Sequence, residues 1–362
     1  DKRRDKKIGT NKMKLLIITQ KVDINDDVLG FFHRWLEEFA KHCEKITVIC
    51  LEMGEYKLPE NVKVLSLGKE ECVSKLKYLW RFYKYIWQER KKYDAVFVHM
   101  NPEYVVLGGL FWKILGKKIS LWYTHKNVDL KLRIAEKFPN IIFSVSKESF
   151  RLKTAKLLVV GHGILVESFK NPRVREYKKG DNLNIISVGR ITKIKNLDTL
   201  IKACGILKKK SLKFEVSLIG PIVGEKDKKY FEYLKQLISE NDLDEEIKFL
   251  GSVPNNKIAE YYWQNDLSVN LAPTGGVDKV ILESIASELL VLVSNIAFEE
   301  YFGKYKNDLI LREKDEKDLA NKIMNLISRD DLKDIKKFLI SSVKEKSDLS
   351  NLILRVTNIL NE

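Results

Sequence analysis

The chain has 362 residues, 44% of them hydrophobic, and carries a formal net charge of +15. That length exceeds what one hydrophobic core serves well and points to two domains. It excludes a membrane-spanning class and a disulfide scaffold: the longest apolar stretch, Tyr104 to Gly116, is short and contains Lys113, and Cys43, Cys50, Cys72 and Cys204 have neither CxxC nor zinc spacing.

The cysteines are expected to be free thiols in a reducing cytosol. The positive charge fits polyanionic partners, from nucleic acid and acidic membrane surfaces to phosphorylated small molecules, or simply solvated lysine. Residues 1–12, "DKRRDKKIGTNK", lack the apolar core of a secretory signal. They are expected to be a disordered basic arm or tag, with Met13 as the native start.

From there, short β-branched runs alternate with helical patterns. Strands are expected at 14–19, 45–51, 61–67, 94–100, 118–125, 140–146 and 156–164, nearly continuous in apolar residues as strands buried on both faces must be. Helices are expected at 30–43 and 75–92. In the second of these, Leu76, Leu79, Tyr83 and Ile86 make the expected buried stripe, while Trp80, Tyr85 and Trp87 with their lysines suit an anionic membrane surface. The polar stretch 170–182 reads as a linker. A second series of strands follows at 183–189, 214–220, 247–253, 267–272, 289–295 and 308–312, with helices at 196–210 and 230–241 between them. The expected domains are 13–169 and 183–335. C-terminal helices over 336–362 are expected to pack back on the first domain. Two successive βα series predict an α/β protein of two Rossmann-like, doubly wound parallel-sheet domains facing a central cleft. Ligands of such sheets bind outside the carboxyl ends of the strands.

Two strand-end loops in the second series carry the chemistry. In "GRITKIKNLDTLI", Gly189 permits a tight turn, Arg190 follows, and Lys195 precedes Asn196, a favourable helix cap. A helix start flanked by cations suits phosphate oxygens, although a plain basic loop has the same residues. In "PTGGVDKVILES" (273–284) a helix is expected from Asp278, whose side chain would cap it, and Gly275 and Gly276 offer a nest of N–H groups for an anion. Lys279 sits where the helix dipole repels a cation. Lys279 and Glu283 share a face in the weaker order for an ion pair, so both read as serving a ligand: Lys279 a phosphate, Glu283 a vicinal diol. Ile281, Leu282, Ile285 and Leu289 form the buried side. Spacing alone thus stops at a phosphorylated ligand.

Other polar residues are less informative. His99 ends a strand, as an acceptor-side group or a plain strand-end residue, and His33 and His42 read as structural or surface residues. "GHG" (161–163) lacks the third glycine of a dinucleotide fingerprint, and no His/Asp/Glu cluster has metal-ligand spacing.

The two loops, together with "FLGSVPNNKIAEYY", "LWYTHKNVDLKLRIAEKF" and "VVGHGI", resemble the retaining glycosyltransferases of family 4, which have the GT-B fold. The resemblance runs from about Met13 over nearly the whole chain. It implies a nucleoside-diphosphate sugar as donor and a hydroxyl acceptor, with neither cofactor nor metal. Carried over, Arg190 and Lys195 would hold the diphosphate, with Gly189, Gly275, Gly276, Asp278 and Lys279 around it. Glu283 would bind the ribose, and His125 would approach the transferred sugar. Gly30 would lie near the diphosphate and acceptor, and His99 and Glu103 on the acceptor side. The pattern departs from the family in two places. The usual second glutamate, eight positions before Glu283, is Gly275, giving the Gly-Gly-x-Asp-Lys variant, and the acid of "GID" is Leu165. The implied function is retaining sugar transfer in glycan, glycolipid or cell-envelope synthesis. Its expected setting is cytoplasmic, at the inner face of a membrane, by a monomer or homodimer without specific nucleic-acid binding. A non-catalytic nucleotide-sugar- or polyanion-binding relative on the same scaffold is the alternative.

Overall fold

Seven apolar runs form one parallel sheet, because strands covered by helices on both faces need no polar alternation. The computed structural model describes residues 12–26, 29–125, 127–172, 177–178, 180–255 and 257–362. The expected N-terminal arm lies outside these residues except for Lys12, as do 173–176 and 179 of the expected linker. The strands of the first sheet are β1 (Lys14–Val22), β2 (Lys45–Met53), β3 (Val62–Ser66), β4 (Ala95–His99), β5 (Lys118–Trp122), β6 (Ile141–Ser144) and β7 (Leu157–Val159). Their spatial order is β3-β2-β1-β4-β5-β6-β7, with every pair parallel. Between them run α1 (Gly30–His42), α2 (Lys75–Glu89), α3 (Pro102–Ile114) and α4 (Leu130–Ala135).

The short helix α5 (Val166–Phe169) precedes a second parallel sheet, ordered β10-β9-β8-β11-β12. It comprises β8 (Leu183–Val188), β9 (Phe214–Ile219), β10 (Ile247–Gly251), β11 (Leu267–Asn270) and β12 (Leu290–Val293). Its helices are α6 (Leu197–Lys209), α7 (Gly224–Glu240), α8 (Ile258–Tyr262) and α9 (Lys279–Ala286). They are followed by α10 (Glu299–Phe302), α11 (Lys306–Leu309), α12 (Glu316–Ile327) and α13 (Leu332–Ser347). The last helix is α14 (Leu349–Asn361).

By packing, the described residues up to Gly161 together with Ser350–Glu362 form one unit, and His162–Leu349 the other. Ile164, Val166 and Phe169 lie in the second unit's core with Leu183 and Ile185, so this segment folds with the second sheet, not the first. In the first unit, Lys118 Nζ donates to the Ile359 carbonyl of α14 at 2.6 Å.

Two elements differ from expectation. The run 308–312 is not a strand. It begins inside α11, and only Ile310 bridges to Val293, while Asp308 pairs with Arg329 at 3.0 Å. The buried stripe of α2 is also displaced. Phe82, Ile86 and Glu89 are buried, with Tyr78 and Tyr85 packed partly against the same core, whereas Leu76 is 79% exposed and Leu79 and Tyr83 face outward. Apolar residues recur at helical spacing on both sides of this helix, so periodicity could not choose. Phe82 decides it, because its ring fits between Tyr104 (5.4 Å) and Trp112 (6.2 Å).

Candidate functional site

In the second sheet the strand order reverses between β8 and β11, the point where doubly wound sheets bind ligands. The loops leaving these two strands contain both motifs, and they are tied to each other. Gly189 follows β8 with φ +148, which L side chains rarely adopt, and a Cβ there would stand 3.3 Å from Lys195 Cε. Gly220 follows β9 with φ +150, and a Cβ on it would meet the Gly189 carbonyl at 2.0 Å. These glycines let two strand-end loops and a lysine stem share one small volume.

Lys195 closes a 3₁₀ turn (Lys193–Lys195), and its Nζ contacts Asp278 Oδ2 at 2.9 Å. Asn270, the last residue of β11, donates to the same oxygen at 2.9 Å. Asp278 stands at the N-cap position of α9, yet its carboxylate makes no cap bond because Lys195 and Asn270 hold it. Asn196 is likewise not a side-chain cap. Its backbone is left-handed (φ 48), a conformation asparagine tolerates, and its amide donates to the Leu271 carbonyl at 2.8 Å. Both expected caps are therefore struts between the β8 and β11 loops.

Gly275 and Gly276 do not make the expected nest. Neither is among the described glycines with positive φ. The Gly275 N–H donates to Asn295 Oδ1 at 3.4 Å, and Asn295 Nδ2 donates to the Gly276 carbonyl at 2.9 Å. Thr274 N–H donates to Glu313 Oε1 at 2.9 Å. The loop is stitched to the end of β12 by side chains that satisfy its backbone.

On α9, Ile281, Leu282, Ile285 and the following Leu289 are buried as expected. Glu283 is only 3% exposed. Burial raises its pKa above the ordinary carboxylate value, opposed by Lys279, whose Nζ lies 3.4 Å away, and by a hydrogen bond from Tyr262. Arg190 is half-exposed and lies 3.5 Å from Asp227 of α7. Within one unit, then, two short loops and a helix start gather Arg190, Lys195, Lys279 and a buried carboxylate. Such a set can receive a diphosphate and a diol.

In the first unit the order reverses between β1 and β4. Gly30 opens α1 after β1, and a Cβ on it would lie 3.1 Å from the Ile24 carbonyl. Lys21 anchors this loop through Asp23 (3.3 Å), Asp26 (2.9 Å) and Glu52 (3.0 Å), which together raise its pKa. His99 ends β4 but is buried, bonded to Thr19 Oγ1 through Nδ1 at 3.2 Å and stacked on Phe32 with centroids 4.1 Å apart. Glu103 pairs with Lys131 at 2.9 Å in the first turn of α3. His125 is exposed in the loop after β5, its ring 5.8 Å from that of Tyr123. Among the described residues, no three His, Cys, Asp or Glu side chains form a metal-binding group.

Several residues of this arrangement were not singled out from sequence. Asn270 closes one apolar strand and Asn295 stands just beyond the carboxyl end of another, which is the signal the sequence offers. His162 lies in the incomplete glycine pattern of residues 161–163, yet it hydrogen-bonds the Val277 backbone beside Lys279 and Asp278. Burial, aided by Lys279, lowers its pKa to about 4, and burial alone lowers that of His99 to about 3. Both values lie below the ordinary 6.5, so their contribution to stability is complete above that pH and is lost as pH falls through the folded values. Urea unfolding measured from pH 6.5 down to 4 should show stability falling, by about 3 kcal/mol for His99 alone. A His99→Phe variant should show a shallower slope.

The sheets of seven and five parallel strands define the fold as GT-B, two Rossmann-like α/β units. The structure of HepE from Anabaena, in complex with UDP, covers 96% of this chain and 99% of its own with a TM-score of 0.73 at 17% identity. A glycosyltransferase structure from Rickettsia africae covers 96% and 98% with a TM-score of 0.71 at 16% identity. At such identities the likeness is one of fold. Residues 167–338 match the family model for glycosyl transferases group 1, a segment that contains both loops and α9. The amylovoran biosynthesis glycosyltransferase AmsK of Erwinia amylovora is 31% identical over 145 residues, 38% of this chain and 34% of that protein. The chain thus spans about a third of the length of the curated relatives it matches.

Proposed function

We propose that the protein is a glycosyltransferase that moves a sugar from a nucleoside-diphosphate donor to a hydroxyl acceptor with retention, as a family 4 enzyme of the Gly-Gly-x-Asp-Lys type. One observation carries this reading. At the β8/β11 switch point, Lys195 and Asp278 join the two loops, next to buried Glu283, inside the segment that matches the glycosyl transferases group 1 family. HepE, of the same fold, is known in complexes with UDP and with UDP-glucose, which makes the uridine nucleotide the first donor to test.

In this reading Arg190 and Lys195 take the diphosphate, with Asp278 keeping Lys195 in place. Glu283, kept dry by α9 and Tyr262, accepts both ribose hydroxyls. As the bond between the anomeric carbon and the β-phosphate oxygen breaks, its electron pair leaves with the nucleoside diphosphate, whose charge the two cations stabilise. The acceptor oxygen forms its bond to the anomeric carbon on the same face, and its proton passes to the departing phosphate oxygen. No carboxylate nucleophile is assigned, and the reaction is metal-independent. Lys279 substitutes for the missing glutamate. In the first unit, His125 and Gly30 are assigned to the donor, and Glu103 and the β4 end at His99 to the acceptor. The acceptor is a hydroxyl of a glycan, lipid or small molecule, and the setting is the cytoplasmic face of a membrane.

The test is a thermal-shift screen with uridine, guanosine and adenosine diphosphates and their sugars. A bound donor present at about 100 times its Kd stabilises the protein by about 2.7 kcal/mol, a shift of several degrees. One nucleotide should stand out. Equal, negligible shifts with all of them would sink the proposal.

A further inference from the structure

The outward face of α2 continues onto α3 as an apolar surface within the first unit. Leu76 (79% exposed), Trp80 (59%), Tyr83 and Trp87 follow one another along α2 at helical spacing, and Leu110 and Ile114 extend the face on α3. The two helices are joined there: Tyr83 Oη donates to the Leu107 carbonyl at 3.1 Å, and the Trp87 and Phe111 rings lie 6.0 Å apart. Between them runs an open groove of about 560 Å³, walled by Trp80, Tyr83, Trp87 and Phe111. Burying such residues is ordinarily favourable, so an outward display of this size marks an interaction surface.

Charge identifies the occupant. From Ser74 to Lys118 the sequence holds ten lysines and arginines against three acids. One of the three, Glu89, is buried and neutralised by Lys63 at 2.8 Å and Lys92 at 3.2 Å. The cations are interleaved with the rings: Lys84 Nζ stands 4.8 Å over Trp80, and the Arg90 guanidinium 4.1 Å over Trp87. A second copy of the chain would bring like charges together. Protein interfaces are also depleted in lysine at their centres. Tryptophan, tyrosine and lysine on one face are instead the mixture that rests at the headgroup level of a bilayer, with apolar bodies inward and cations against anionic lipid. Among the described residues no helix is long and apolar enough to cross a membrane, so the contact is one of surface docking.

We propose that the α2/α3 face of the first unit docks on an anionic lipid bilayer, with Trp80 and Trp87 inserted at the headgroup level. This rests on neither the donor nor the reaction proposed above. The test is sedimentation of the full chain with vesicles of phosphatidylcholine containing about 30 mol % phosphatidylglycerol, and with pure phosphatidylcholine vesicles. The wild type should bind the anionic vesicles at least about tenfold more tightly than the neutral ones, and raising salt from about 0.1 to 0.5 M should weaken that binding. The double variant Trp80→Ser/Trp87→Ser, and separately Leu110→Ser/Ile114→Ser, should each lose about tenfold or more in vesicle affinity. Both pairs lie on the surface and should keep the wild-type Tm. Light scattering on the same proteins distinguishes the other occupant. A wild-type dimer that either double variant dissolves would overturn the proposal, as would absence of vesicle binding or variants that bind as the wild type does.

Discussion

Replacing Lys195 with alanine is expected to lower kcat/KM for the nucleotide-sugar donor by about 100- to 1000-fold, most of it in kcat. The expectation rests on how firmly this lysine is placed. The positive φ of Gly189 leaves room for its stem, the left-handed Asn196 ends its turn and is pinned to Leu271, and Asp278 holds its Nζ at 2.9 Å. A cation fixed before the donor arrives needs little reorganisation as charge develops on the leaving diphosphate. Without it, Asp278 stays beside the phosphates with only Asn270 to offset its charge. Lys193, two residues earlier and exposed, is the control: Lys193→Ala should change kcat/KM by no more than about twofold, as surface substitutions do. Steady-state kinetics on the three proteins provide the comparison. Equal losses at positions 193 and 195 would mean that net charge matters and geometry does not.

Glu283→Gln is expected to weaken donor binding by about 10- to 100-fold, the loss of charge-assisted hydrogen bonds to a diol, without lowering the stability of the free protein. Gln preserves volume and leaves an acceptor for the Tyr262 hydroxyl. The stability half follows from the sign of the pKa shift. Burial raises the folded value of Glu283 above the ordinary one. Its favourable contribution is therefore complete below the ordinary carboxylate pKa and is lost as pH rises through the folded value. Above the folded value the ionised side chain opposes folding, so there the Gln variant should melt no lower than the wild type, with a margin that grows as pH rises from the ordinary carboxylate value through the folded one. A purely structural glutamate predicts the reverse, a lower Tm with donor affinity intact. Thermal melts at two pH values and a nucleotide titration separate the two.

The sheets were legible because their strands are buried on both faces and read as apolar runs. β1, β2 and β8 fall where Leu15 to Ile18, Ile46 to Cys50 and Leu183 to Ile186 put them. The site was legible as a set of residue types, since glycine, arginine and lysine at a strand end announce an anion. How the set is braced was not. Asp278 and Asn196 are residues that cap helices locally, and nothing near them in sequence says that Lys195 and Leu271, 83 and 75 residues away, compete for their side chains. Gly275 and Gly276 were read as free N–H donors because the sequence does not show Asn295 across the loop. The stripe of α2 failed for a related reason. Two faces carried the same period, and the packing of Phe82 against α3 made the choice.

The decisive measurement is nucleoside-diphosphate release from a panel of nucleotide sugars, UDP-glucose first, with the wild type, Lys195→Ala and Glu283→Gln side by side. The wild type should release nucleotide from at least one donor, and Lys195→Ala should lose about 100-fold or more. Glu283→Gln should need about 10- to 100-fold more donor. Donor binding without release across the panel and a range of hydroxyl acceptors, or release that survives both substitutions, would contradict the proposed transferase function.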